Sequence, residues 1–543
     1  MNKTNSISNF CFLYFTLFSF LLLLSCNQKN NSIHPFNPAQ NSHIVILGNT
    51  FAERLQYYNY FETLLYKSFP RRNLTIRNMG WSADEVSLQP RPLNFGSVDD
   101  HLTEQKADII FACFGLNEAF KGADSLDDFK RQLSALLKHM KTQRYNGTSA
   151  PGIILVSPIA HEDLGGFLPD GSKHNENLKL YTKGMEEVAA GLGITFIDLY
   201  SLTKKRVGDA DSLTINGIHL NDSGYKMVSE MMAKSLGLPV SKWTSSPDLL
   251  SLKRVIDQKN QQFFYKFRAV NGEYIYGRRK EPWVQPVGGP ISFPSEFKKL
   301  DRMILQLDTL LWSEATLDDA ANLQKMQSIV SDTIQFEALK ENQPTPSTEK
   351  FVLPPGYEIN LFASEMDFPI ANPVKITFDP KGRLWVSSMP SYPHYLPGAP
   401  PNDKIIVLED TDKDGKADKY TVFADSLYLP LGFELGDGGV YVTQAPNLIF
   451  LKDTDGDGKA DRKTILLQGF GTEDIHHSIS AQTWGPDGAL YWHMGTFLHS
   501  QTETPYGPER DAYGSTWRFE PRTMKLEPYV SYFYANPWGN VFM

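Results

Sequence analysis

Cysteine is nearly missing from this chain. Three residues, Cys11, Cys26 and Cys113, serve 543 positions, which leaves no disulfide framework. No Cys-x-x-Cys-His occurs, so the chain holds no c-type haem. Long basic runs are lacking too, and the net charge is −9 with a pI near 5.8. That balance argues against nucleic acid as a partner. Apolar runs long enough to span a bilayer are also lacking. The longest, Phe10–Leu24, is too short and wrongly flanked.

What is there begins at the N-terminus. Lys3 precedes the apolar run, which ends in Leu23-Leu24-Ser25-Cys26. This ending resembles the bacterial lipobox, which implies cleavage before Cys26 and lipidation of its thiol. A plain signal peptide with a chance cysteine is the alternative. The expectation is a lipoprotein signal at 1–26, a polar tether at 27–42 ("NQKNNSIHPFNPAQNS"), and a lipid-anchored protein of the cell envelope, its only membrane contact being the anchor.

Residues 43–240 alternate short apolar runs with helical patterns. "HIVILG", "LTIRNMG", "ADIIFACFG", "GIILVSPI" and "ITFIDL" predict strands. "SLDDFKRQLSALLKHMKTQ" and "NENLKLYTKGMEEVAAGLG" predict helices, the second stopped by glycine. This alternation predicts a parallel sheet covered on both faces, with functional groups at the C-terminal strand ends. Residues 241–345 read as a helical extension and linker. Within it "NGEYIYGRRKEPW" sets aromatics beside Arg278, Arg279 and Lys280, as an anion or sugar contact or as a solvated loop. Aromatics make up 12% of the chain, which suits sugar faces as well as cores.

From Phe351 the pattern becomes all-β. Polar Asp/Gly turns followed by alternating apolar residues recur in "FDPKGRLWVSS", "LGDGGVYVTQ" and "WGPDGALYWHMG". The repeat of about 50 residues is the length of a four-stranded propeller blade. Three to four blades would fit in 351–543, so an incomplete propeller is expected, as in a fragment of a longer protein.

Four blocks in 43–240 carry a resemblance to the SGNH, or GDSL-type, hydrolases, an α/β three-layer fold of flavodoxin-like order. Gly48-Asn49-Thr50 matches the nucleophile block, with Thr50 at the serine position. Gly80 in "RNMGWSADEV" and Asn117 in "FGLNEAF" match the oxyanion donors. His219 in "NGIHLNDSGY" matches the base, and Asn216 stands where its aspartate is expected. Acyl transfer needs a nucleophile, a base and oxyanion donors. The extra methyl of Thr50 crowds attack, and an amide cannot stabilise an imidazolium as a carboxylate does. The domain is therefore an ester hydrolase with a degenerate triad, or a ligand-binding or vestigial site. His161, Glu162 and Asp163 in "SPIAHEDLGG", with Glu118, offer another acid–base or metal set, or a polar loop.

Two stretches, "DTDKDGKAD" and "DTDGDGKAD", place Asp410, Asp412, Asp414 and Asp418, and Asp453, Asp455, Asp457 and Asp461, around tight turns. Such oxygens suit Ca²⁺, with carbonyls of Lys416 and Lys459 completing the shells. Thr421 and Thr464 replace the EF-hand glutamate, so plain Asp-Gly turns remain the alternative. Residues 351–543 also resemble the glucose/sorbosone dehydrogenase propellers, through His477 and "WGPDGALYWHMG". That resemblance implies pyrroloquinoline quinone and a catalytic His477, with His476 adjacent and Ser480-Ala481 replacing the family's Gly-Arg. The function expected is an envelope-anchored carbohydrate-processing protein with a sugar-deacetylase-like domain and a sugar-dehydrogenase-like propeller, and with a carbohydrate or ester as substrate. A non-catalytic glycan- or partner-binding lipoprotein and a gene fragment without function are the alternatives.

Overall fold

The computed structural model describes residues 36–206, 211–240, 247–278, 293–313, 320–330, 351–392 and 401–543. Cys26, residues 27–35 of the tether, Arg279, Lys280 and the linker at 340–350 lie outside them. Among the described residues no helix is long and apolar enough to cross a membrane.

Each predicted strand of the first unit forms. They are β1 (His43–Gly48), β2 (Thr75–Asn78), β3 (Ile109–Cys113), β4 (Gly152–Val156) and β5 (Thr195–Ile197). All pair in parallel, in the order β2-β1-β3-β4-β5. Successive side chains point to opposite faces of a strand. Thus Val45, Leu47, Ile110 and Ala112 join the core on one face, and Ile44, Ile46, Phe111 and Cys113 the core on the other. Helices cover both faces. Leu126–Thr142 buries Phe129, Leu133, Leu137 and Met140, one stripe at helical spacing. Ser172–Leu192 ends at Gly193, whose φ of 61° lets its N–H return to Ala189. Strand order reverses at β1, so the crevice beyond β1 and β3 is the expected site.

The helical extension is fused to this core. Helix Pro247–Phe267 packs on helix Phe293–Trp312, and Leu249, Val255, Ile256, Met303 and Leu307 complete the second core. Two buried ion pairs, Lys259–Glu62 and Arg77–Asp308, tie the extension to the α/β unit.

The C-terminal unit is built of antiparallel strands. β6 (Pro373–Phe378), β7 (Leu384–Ser388), β8 (Asp403–Glu409) and β9 (Lys419–Leu427) form one sheet in chain order. β10 (Gly432–Gly436), β11 (Gly439–Gln444), β12 (Asn447–Lys452) and β13 (Arg462–Gln468) form the next. β14 (Ser480–Trp484) and β15 (Leu490–Met494) open a third, which a separate hairpin, β16 (His499–Thr504) and β17 (Gly507–Ala512), interrupts. β18 (Ser515–Glu520) and β19 (Lys525–Ser531) then complete it. The three Asp/Gly turns predicted from sequence join β6–β7, β10–β11 and β14–β15.

The interrupting hairpin leaves its sheet and lies against the α/β unit. Ser500 to Thr504 are five consecutive polar residues, all buried. Buried polar groups need partners, and Gln501 and Glu503 find theirs in the first unit, while Ser500 and Thr504 bond within the β unit. Further bonds join the two halves. Asn271 N–H donates to Thr472 O and Glu273 N–H to Glu473 O, both at 2.8 Å, and Arg54 Nη2 donates to Ile465 O at 2.8 Å.

Candidate active site

The site begins where β1 turns into helix Thr50–Tyr58. Gly48 adopts φ 137°, and a Cβ there would lie 2.0 Å from Cys113 O, so only glycine lets β1 run this close to β3. Asn49 caps the helix, its Oδ1 accepting from Phe51 N–H at 3.1 Å. Thr50 follows, fully buried, and its Oγ1 accepts from Ala83 N–H at 3.1 Å. Among the described residues no hydrogen bond joins Thr50 to His219.

The two groups expected as oxyanion donors are both engaged. Gly80 packs on the helix, where a Cβ would come within 2.3 Å of Glu53 N. Its N–H donates to Asn78 Oδ1 at 2.9 Å, so the expected backbone donor is taken. Asn117 Nδ2 donates to Glu503 Oε2 at 2.9 Å and, more weakly, to Asp84 O at 3.4 Å.

His219 meets the same carboxylate. Its Nε2 lies 3.2 Å from Glu503 Oε1, and both side chains are buried. Nδ1 lies 3.1 Å from Asn216 Nδ2. The Asn216 oxygen already accepts from the His219 N–H at 2.9 Å and the Ile218 N–H at 3.3 Å. These bonds assign the amide: its NH2 faces Nδ1, which must accept. The ring proton then sits on Nε2 and is donated to Glu503. Burial, and the nearby Arg54 charge, push the His219 pKa down, against the pull of Glu503, so the ring is neutral.

Glu503 was not foreseen from the sequence. It comes from β16, and the whole hairpin is fastened beside the site. Gln501 Nε2 donates to Asp84 Oδ1 at 2.9 Å. Arg510 Nη2 donates to Ala83 O at 2.7 Å and to Glu85 Oε1 at 2.9 Å. Asp84 is also held by both Arg91 guanidinium nitrogens, at 2.9 and 2.6 Å. The only signal in the sequence was the polar run "SQTET" between two apolar strands.

The second acid–base set does not assemble. Glu162 accepts from Leu213 and Thr214 N–H and from Thr214 Oγ1. Asp163 accepts from Gly165 N–H. His161 turns to His174, with Nδ1 atoms 3.1 Å apart, and burial holds its pKa down to about 4. Glu118 accepts from Val86 N–H at 2.8 Å and Gly115 N–H at 2.9 Å, a structural role, with burial raising its pKa to about 7.

In the first aspartate loop, carboxylate oxygens of Asp410, Asp412 and Asp418 lie within 4.8 Å of one another; in the second, those of Asp453, Asp455 and Asp457 do. The fourth residue of each expected set stands apart. Asp414 accepts from Lys416 N–H, and Asp461 from the Thr454 N–H and hydroxyl. These donor sets fit a hard cation on oxygen chemistry alone. His477 is 5% exposed. Its ring packs on Gly495, where a Cβ would lie 2.6 Å from Nδ1, and at 5.4 Å from the Phe497 ring. A planar quinone laid against this ring does not fit that packing.

The α/β unit is similar to the GDSL-like lipases and acylhydrolases. Residues 48–227 match the family model described as GDSL-like Lipase/Acylhydrolase family, and residues 343–542 match a domain of unknown function, DUF7133. Similar solved structures include Axe2, an acetylxylan esterase from Geobacillus stearothermophilus, at 16% identity and TM-score 0.32, covering 38% of this chain and 100% of that one. A GDSL-like lipase from Parabacteroides merdae gives the same figures. BT4096, a gut microbial diltiazem-metabolizing enzyme, shows 17% identity and TM-score 0.29, over 38% of this chain and 49% of that one. No curated protein matches.

Proposed function

We propose that this chain is a carbohydrate-directed protein of the cell envelope whose acylhydrolase site is closed by its own C-terminal unit, so that the folded protein does not turn over esters. One observation carries the reading: the Glu503 carboxylate lies between the Asn117 amide and the His219 ring. Acyl transfer needs those two groups for the developing oxyanion and for the nucleophile's proton. Here both are spent on a carboxylate, as a bound acid product would spend them. The tautomer adds a second block. With its proton on Nε2, His219 cannot accept from a hydroxyl at that nitrogen, and Asn216 offers no charge to reverse the choice.

The test is hydrolysis of p-nitrophenyl acetate and acetylated sugars by the full chain. Turnover should not exceed that of a Thr50→Ala variant. Turnover that depends on Thr50 overturns the reading. The envelope location is supported by the Cys26 lipobox, and Cys26→Ala should move the protein from the membrane to the soluble fraction.

We read the three four-stranded sheets as propeller blades. Support comes from the chain-order meanders and from a recurring bond behind each aspartate loop. Ala417 N–H donates to Phe362 O at 2.8 Å, and Ala460 N–H to Phe423 O at 2.7 Å. Each loop is thereby tied to the segment preceding its own sheet. Calcium bound in these loops would stiffen that tie.

A further inference from the structure

The Glu503 carboxylate is held as a free carboxylate would be held. Asn117 Nδ2 donates to one of its oxygens at 2.9 Å, and the His219 Nε2–H donates to the other at 3.2 Å. Two donors on two oxygens of one planar group suit a carboxylate and not a single-atom anion such as chloride. The surroundings are closed, with Thr50, Arg54, Asn117, Asn216, His219 and Glu503 all buried.

Charge balance points the same way. Asp84 and Glu85, on the turn beside the crevice, are met by Arg91, Lys121 and Arg510. Glu53 is met by Arg268, with Nη1 3.5 Å from Oε1, and by the Ser82 hydroxyl. Arg54 and Glu503 are the buried charges that remain there. Arg54 spends Nη2 on Ile465 O. Its charge acts on the His219 ring and on the Tyr225 hydroxyl, and so does the charge of Glu503. A buried charge stripped of its counter-charge is strongly destabilising. A crevice that carries Arg54 therefore needs an anion.

The size of that anion follows from the side chain. Beyond Cβ, Glu503 consists of one methylene and the carboxylate, which is the heavy-atom skeleton of acetate. A longer acid would have to run through Cβ and the β16 backbone, which the buried hairpin occupies.

We propose that the crevice formed by Asn117, His219 and Arg54 is a receptor for a two-carbon carboxylate, and that Glu503 is the ligand it carries in the folded chain. The proposal rests on the closed-site reading and names the acid which that site accepts. Glu503→Ala in the full chain removes the methylene and the carboxylate and keeps the β16 backbone. Its melting is followed in sodium acetate, formate, butyrate and chloride at constant ionic strength and neutral pH. The variant should melt below wild type. Acetate should raise its Tm saturably, at about tenfold lower concentration than butyrate or chloride. Wild-type Tm should be the same in acetate as in chloride. Adding Asn117→Leu to Glu503→Ala should abolish the acetate response. If Glu503→Ala is recovered unfolded, refolding from urea replaces the melt, with soluble recovery expected in acetate and not in chloride. A Glu503→Ala chain that responds to acetate no more than to chloride, in melting or refolding, overturns the proposal. So does an acetate response that Asn117→Leu leaves at full strength. Thr50-dependent ester turnover by wild type would instead overturn the closed-site reading, so the two failures come from different measurements.

Discussion

Asn117 and Glu503 share a 2.9 Å hydrogen bond across 386 residues of chain. One residue belongs to the strand ends of an α/β sheet, the other to a hairpin of the β unit. The bond is buried and is doubled by His219 on the same carboxylate. The two units are therefore joined through the chemistry of the site, and any change there is also a change in the interface.

Removing the carboxylate should weaken that interface. Glu503→Ala leaves the Asn117 amide and the His219 Nε2–H buried without an acceptor. The expected loss is about 1–3 kcal/mol in chemical denaturation. Glu503→Gln keeps one oxygen for the pair and should lose less. Equal stability of wild type and Glu503→Ala would show that the bond contributes nothing.

Restoring hydrolysis needs three changes. Glu503→Ala empties the site, Thr50→Ser removes the crowding methyl, and Asn216→Asp returns the proton to His219 Nδ1. General-base catalysis is typically worth 10²–10⁴-fold. The triple variant should exceed wild type on acetyl esters by about 10²-fold or more. Glu503→Ala alone should gain far less, since its His219 keeps the wrong tautomer. A triple variant no faster than wild type would mean that the backbone around Gly80, with its N–H on Asn78, has lost the oxyanion geometry.

How much of this was legible in the sequence follows from where each signal resides. The five strands carry local apolar runs, and all five formed. Thr50, Gly80, Asn117 and His219 were readable because each stands in a block beside a strand end. Glu503 was not readable. Its run "SQTET" gives no period that names a partner, and its partners are brought close only by tertiary packing. Gly80 shows the same limit at short range. Its position was predicted, but Asn78 two residues earlier takes its N–H, a competition no motif reports.

Acid should weaken the fold through the His161–His174 pair. Burial lowers their folded pKa values to about 4 and about 3, from 6.5. Asp170 and Asp163 partly oppose the shift at His161, and Lys204 adds to it. A depressed folded pKa means that the unfolded chain takes up protons first. The stability is present above pH 6.5 and is lost as pH falls toward the folded values. Glu118 works the other way between 4.5 and about 7, since its neutral form is the one favoured by burial. His174→Asn should therefore reduce the acid slope of stability by up to about 1.4 kcal/mol per pH unit below pH 6.5. An unchanged slope in urea titrations between pH 7 and 5 would reject the assignment.

The aspartate loops make the last prediction. Asp410, Asp412 and Asp418 repel one another unless a cation neutralises them, and so do Asp453, Asp455 and Asp457. At present their charge is met by neighbouring N–H groups. Asp410 accepts from Lys413 at 2.6 Å and Gly415 at 2.9 Å, and Asp453 accepts from Gly456 at 2.7 Å and Gly458 at 2.9 Å. Those bonds shape each loop with its carboxylates gathered, which is the arrangement a calcium ion requires. A ligand that binds only the native state raises stability by mass action. The full chain should melt at a higher temperature in calcium than in chelator. Asp412→Asn with Asp455→Asn should abolish most of the difference, because each change removes a ligand charge and leaves the turn bonds of Asp410 and Asp453 in place. Superimposable melting curves in calcium and chelator would leave both loops as hydrogen-bonded Asp-Gly turns.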